Sequence, residues 1–84
     1  LGDDDLTLTD VSIYASSRDN LRILGINSGQ ANVQMFDLMG KQVLSTSFNG
    51  QSVNDVKLPK LNTGIYLVNL ASDEGTINKK IIIQ

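Results

Sequence analysis

The sequence has no cysteine, no histidine and no tryptophan, and a single proline, in 84 residues. Without thiol or imidazole there is no cysteine or histidine nucleophile, no histidine base and no His/Cys metal set. A disulfide framework, the usual support of so small a domain, is excluded. An excess of one charge is lacking too. Seven basic and 9 acidic residues leave a net charge of −2, which gives no electrostatic case for nucleic acid or an anionic membrane. Long apolar runs are also absent. The longest purely aliphatic one, Ile81-Ile82-Ile83, is far short of the ~20 residues of a spanning helix, so membrane insertion is not expected. The length admits one domain, with roughly a third of its unfolded surface still exposed after folding.

What the chain does have is regular punctuation. Gly, Asn, Asp and Ser recur between short β-prone runs, a spacing that suggests a sandwich or barrel. Seven strands are expected: Val11-Ser12-Ile13-Tyr14, residues 21–26, the alternating residues 31–37, residues 42–48, the weaker 53–58, the β-branched and aromatic 65–71, and residues 76–83. Met39-Gly40 and Asn27-Ser28-Gly29-Gln30 read as turns. Asn49-Gly50 is the strongest two-residue hairpin signal. No window holds a 3.6-residue period between caps, so no helix is expected. Seven short strands with consecutive hairpins point to an all-β, antiparallel, immunoglobulin-like Greek-key sandwich. The tyrosine-corner and Cys–Trp–Cys hallmarks of antibody domains cannot be claimed from the residues, and a sandwich without them is expected. Residues 1–9 read as a flexible linker end and residues 10–84 as the domain. The chain starts at Leu1 with no leader-like segment, and is expected to be a piece of a longer precursor.

Candidate chemistry is sparse. Asp3-Asp4-Asp5 with Asp10 offers carboxylates but no calcium-loop spacing, and reads as a solvated end; no metal or cofactor is expected. Asp37, Asp55, Asp73 and Glu74 fall at or beside expected turns, where carboxylates bond local backbone, so no catalytic residue is assigned. Tyr14, Phe36, Phe48 and Tyr66 make a poor sugar-stacking inventory. Lys79-Lys80 in the last strand has two readings. Charges on an edge strand discourage aggregation, or the strand is a handle presented for strand addition.

Three blocks then stand out together. Asp37-Leu38-Met39-Gly40-Lys41-Gln42-Val43, Leu58-Pro59-Lys60-Leu61-Asn62-Thr63-Gly64-Ile65-Tyr66 and Asn78-Lys79-Lys80-Ile81-Ile82-Ile83 resemble the C-terminal sorting domain of the type IX secretion system, in its type A class from Bacteroidetes. The likeness runs from about Val11 to Gln84. It departs at the start, where many members carry an Asn-Pro motif and this chain reads Asp10-Val11-Ser12-Ile13-Tyr14.

The resemblance implies a secretion signal and not an enzyme. A cargo upstream of the domain would cross the inner membrane by its own signal peptide. The outer-membrane translocon would then pass it, a shuttle barrel would receive it, and a sortase-like peptidase would remove the domain. The cargo would end at the cell surface or outside the cell. By position, Lys79, Lys80, Ile81, Ile82 and Ile83 are the expected recognition segment. Asp37, Gly40, Gly64 and Tyr66 match motif positions, with a structural role expected. The alternative is an immunoglobulin-like accessory, adhesion or carbohydrate-binding module of a surface or secreted protein.

Overall fold

Strict alternation of burial builds the sheets. In Gln30–Phe36, Ala31, Val33 and Met35 are buried while Gln30 and Asn32 are exposed, as a strand with one face on a core requires. A computed structural model describes residues 11–26, 29–73 and 75–84; Asp3-Asp4-Asp5, Asp10, Asn27, Ser28 and Glu74 lie outside them, as does the expected linker. Seven strands follow in order: β1 (Ser12–Ser17), β2 (Asn20–Leu24), β3 (Gln30–Phe36), β4 (Gln42–Asn49), β5 (Val53–Lys57), β6 (Gly64–Ser72) and β7 (Gly75–Ile83). There is no helix among the described residues.

The strands form two antiparallel sheets, β1-β2-β5 and β4-β3-β6-β7. β1–β2, β3–β4 and β6–β7 are hairpins. The chain crosses between sheets after β2, β4 and β5, so that β5 lies beside β2 and β6 beside β3. This is the immunoglobulin-like Greek key anticipated from the turn spacing. The core lies between the sheets. Leu21 and Ile23 of β2, Val33 and Met35 of β3, and Val68 and Leu70 of β6 have no exposed surface.

Asn49-Gly50 does not make the expected hairpin. Asn49 ends β4 opposite Gln30, and the Gly50 amide donates to the Gly29 carbonyl at 2.7 Å. The chain then leaves for the other sheet. Buried Asn54 organises that crossing. Its Oδ1 accepts from the Gln51 amide at 2.9 Å, and its Nδ2 donates to the carbonyls of Gln51 at 2.7 Å and Ile23 at 3.2 Å. A buried amide with both ends satisfied competes successfully with a turn preference.

Register sorts the loops into two ends of the sandwich. Phe36 pairs with Leu67, Gly64 with Ile83, and Asn20 with Lys57. The β1–β2 turn, the β3–β4 turn, the β5–β6 connection and the end of β7 therefore share one end. Ser12 pairs with Leu24, and Ser72 with Gly75. The entry at Val11, the β2–β3 and β4–β5 connections and the β6–β7 hairpin share the opposite end. The chain thus enters at one end of the sandwich and residue 84 stands at the other.

Candidate functional site

The end holding residue 84 contains all three sequence blocks, and each has a physical reason for its spacing. In the first, Asp37 locks the β3–β4 turn. Its Oδ1 accepts from the amides of Met39 and Lys41, each at 2.9 Å. Its backbone amide donates to the Lys41 carbonyl at 2.9 Å, and its carbonyl accepts from the Gly40 amide at 3.0 Å. Gly40 takes φ of 88°, a left-handed conformation that costs any side-chain-bearing residue. An aspartate, two residues, a glycine and then the partner strand is the minimum set for this turn. The turn leaves Leu38 66% and Met39 93% exposed.

The second block is a tyrosine corner, against the expectation of a sandwich without one. Tyr66 lies near the start of β6 with its ring buried, and its hydroxyl donates to the Asn62 carbonyl, four residues upstream, at 2.7 Å. This is the feature known at the corner leading into the sixth strand of immunoglobulin-like sandwiches. Leu61 packs against the core, and Gly64 opens β6 opposite Ile83. The signal was present in the spacing of Asn62 and Tyr66 around Gly64. It is read only once Tyr66 is known to enter a crossing strand.

The third block is β7, an edge strand. Ile81 and Ile83 are buried in the core, whereas Lys79, Lys80 and Ile82 are exposed. Lys79 pairs with Val68, which has no exposed surface. It therefore shares the inward parity of Ile77, Ile81 and Ile83 but remains in solvent, an arrangement that blunts an edge. The five positions expected to act as one segment thus divide into two buried anchors and three accessible side chains.

Arg18 of the β1–β2 turn ties the second block to Gln84, the residue after the third. Its Nη1 donates to the Gln84 carbonyl at 2.6 Å and to Thr63 Oγ1 at 3.3 Å, and its Nη2 donates to the Leu61 carbonyl at 3.2 Å. Beside it, the Leu58 amide donates to the Asp19 carbonyl at 2.8 Å. Nothing in the sequence around Arg18 marks partners 43 to 66 residues away.

Among the described carboxylates, Asp37 bonds its own turn and Asp55 bonds side chains of the neighbouring strand. Asp55 lies within β5 and not at a turn. The Arg22 guanidinium, with Nε donating at 2.9 Å, and the Asn20 amide hold its carboxyl below the ordinary carboxylate value. Arg22 is raised in turn, chiefly by the same bond. No group of three acidic, histidine or cysteine side chains could hold a metal ion among the described residues.

With this geometry, the family comparison is decisive. The model of the secretion system C-terminal sorting domain matches residues 12–84. The chain belongs to that family. This type IX sorting domain also resembles, among solved structures, the crystal structure of CopC from Methylosinus trichosporium OB3b. The likeness covers 90% of each chain, with a TM-score of 0.59 and 19% identity. That likeness shows the β-sandwich fold alone. No curated protein matches the chain. As a type IX sorting signal, the domain serves secretion of a cargo and interacts with that system, and its family is not an enzyme class.

Proposed function

We propose that this sorting domain directs an upstream cargo through the outer-membrane translocon of a type IX secretion system, and that it carries its address at the end of the sandwich where the three blocks meet. The observation that carries this reading is the convergence itself. Residues 37–43, 58–66 and 78–83 are far apart in sequence, yet register brings them to one end. Residue 11 enters at the other, so a cargo preceding it would not obstruct the addressed end.

In this reading β7 is the docking element. As an edge strand of its sheet it has one row of backbone groups that β6 does not use, with β1 of the other sheet as its neighbour, and strand addition requires an incoming strand to reach that row beside β1. Lys79, Lys80 and Ile82 supply side chains for selectivity, while Ile81 and Ile83 anchor the strand to the core. An outer-membrane shuttle barrel receives the domain after periplasmic transit. A sortase-like peptidase then cuts in the segment before the domain, leaving the cargo at the surface or outside the cell. The rival adhesion or carbohydrate-binding reading needs an aromatic platform. Among the described aromatic residues only Tyr14 is strongly exposed, at 42%, and it stands opposite Arg22.

The test is a secretion assay. The domain is fused to the C-terminus of an exported fluorescent protein in a bacterium with a type IX system, beside a strain lacking the translocon. Translocon-dependent fluorescence outside the cell, lost on deleting the last five residues, supports the proposal. Unchanged export after that deletion refutes recognition through β7. Retention of the intact fusion in the periplasm refutes the sorting assignment.

A further inference from the structure

The outer face of the four-stranded sheet is unlike the rest of the surface. Among the described residues seven large apolar side chains are exposed, and five of them, Leu38, Met39, Ile65, Leu67 and Ile82, lie at the end where the blocks converge. Register makes them neighbours. Leu67 pairs with half-buried Phe36 on one side and Lys80 on the other, Ile65 pairs with Ile82, and the turn bearing Leu38 and Met39 follows Phe36 directly. A shallow cavity of about 390 Å³, lined in part by Gln34, Phe36, Leu67 and Asn78, adjoins the patch. Contiguous exposed apolar surface rimmed by polar groups marks an interaction site.

The charge on this sheet is one-sided. β3, β4, β6 and β7 contain no Asp or Glu, and their only charged residues are Lys79 and Lys80. Among the described residues neither has an ion-pair partner, and Lys41 adds a third exposed cation at the turn. Asp37, the nearest carboxylate in sequence, directs Oδ1 to the turn amides. The other sheet pairs Arg22 with Asp55, and Lys57 at the end of β5 has no ion pair among the described residues. Among the described residues, two positive charges on this sheet therefore have no ion-pair partner.

We infer that this face, with Leu67 at its centre and Lys80 and Lys41 at its rim, is a second docking surface for a type IX component whose contact surface is apolar with Asp or Glu around it. The inference rests on the sorting reading and extends it from the edge of β7 onto the outer face of the sheet, with Lys80 and Ile82 shared between the two. The rim charge excludes self-association as the better occupant. Two copies meeting face to face would oppose lysines with no carboxylate from either sheet, and like charges across an interface are costly.

The experiment places a photoreactive phenylalanine analogue at Leu67 of the exported fusion, and for comparison at Asn32, on the same strand face at the opposite end. Cross-linking is followed in the secreting cell. The expected result is a cross-link from position 67, and not 32, to a type IX component through a segment carrying Asp or Glu among apolar residues. Lys41→Glu with Lys80→Glu should cut its yield roughly tenfold, the effect of ~1.4 kcal/mol in docking. Met39→Ser with Ile82→Thr, both exposed and with an unchanged melting temperature, should do the same. If position 67 links to a second copy, to lipid or to nothing while the fusion is still exported, the docking face is wrong and the sorting reading stands. A yield indifferent to charge reversal overturns the acidic-rim assignment. A wild-type fusion that never leaves the periplasm sinks both.

Discussion

Replacing Tyr66 by Phe separates a structural motif from a recognised one. The ring is 7% exposed and belongs to the core, and Phe fills the same volume, so the substitution removes one hydroxyl. That hydroxyl makes a 2.7 Å bond to the Asn62 carbonyl, the modal length for an O–H donor. A hydrogen bond contributes about 0.5–1.5 kcal/mol net, and an orphaned buried acceptor costs about 1–3 kcal/mol. Asn62 is itself exposed, so water reaches part of its surface and the loss should sit near 1–1.5 kcal/mol. For a domain of this size the melting temperature should fall by about 5–10 °C. Urea unfolding should show a lower midpoint and an unchanged slope. At a temperature well below the transition, export of a fused passenger should match wild type. Unaltered stability would mean that the corner does not hold the β5–β6 connection. The expected destabilisation with export abolished at low temperature would mean that a partner reads Tyr66 directly.

Gly40→Ala should cost about 1–2 kcal/mol from backbone conformation alone, since an added Cβ at φ of 88° meets nothing within 4 Å; thermal unfolding measures it. Asn54→Leu should cost roughly 3 kcal/mol by leaving the Ile23 carbonyl and the Gln51 amide without their side-chain partner, and a loss below about 1 kcal/mol would show that neither group needs it. Because Asp55 has its carboxyl value lowered in the fold, its pairing with Arg22 stabilises the domain above the unfolded carboxylate value and is lost as pH falls through the folded one. Melting from pH 7 to 3 should therefore show a decline that is reduced in Asp55→Asn and, for so exposed a pair, weakened by salt.

Most of the architecture was legible because it rests on period two and on turn residues. Ala31, Val33 and Met35 announced β3, and residues 65–71 announced β6, by alternation and β-branched content. Asp37 and Gly40 announced a turn whose bonds are all local. The misreadings arose where a long-range partner decided the outcome. Asn49-Gly50 is a good hairpin sequence, but the strand after it carries Asn54, whose side chain is satisfied only against β2 and its own loop. Asp55 looked like a turn carboxylate because its cation, Arg22, lies 33 residues away on the neighbouring strand. The division of Lys79 to Ile83 into anchors and accessible side chains also required the register of β7, since only pairing fixes which parity faces the core.

The bonding at the end that holds residue 84 answers a physical problem that the composition poses. A domain without disulfides leaves much of its surface in water, and its edge strands and loop ends are the first parts to open. The address proposed above sits at such an end. Here three different side chains, Asp37, Tyr66 and Arg18, each bind backbone groups at that same end. Arg18 matters most for β7, because Gly64 opposite Ile83 is the last sheet pairing before Gln84. Arg18→Ala should leave global stability within about 0.5 kcal/mol, as for an exposed side chain. Amide exchange should accelerate at residues 82–84 and not at Leu70, which lies mid-sheet in the core. Export should fall if the end must be held in place for docking. Unchanged exchange at those residues would show that sheet pairing alone holds the end, and would remove Arg18 from the account of how the address is presented.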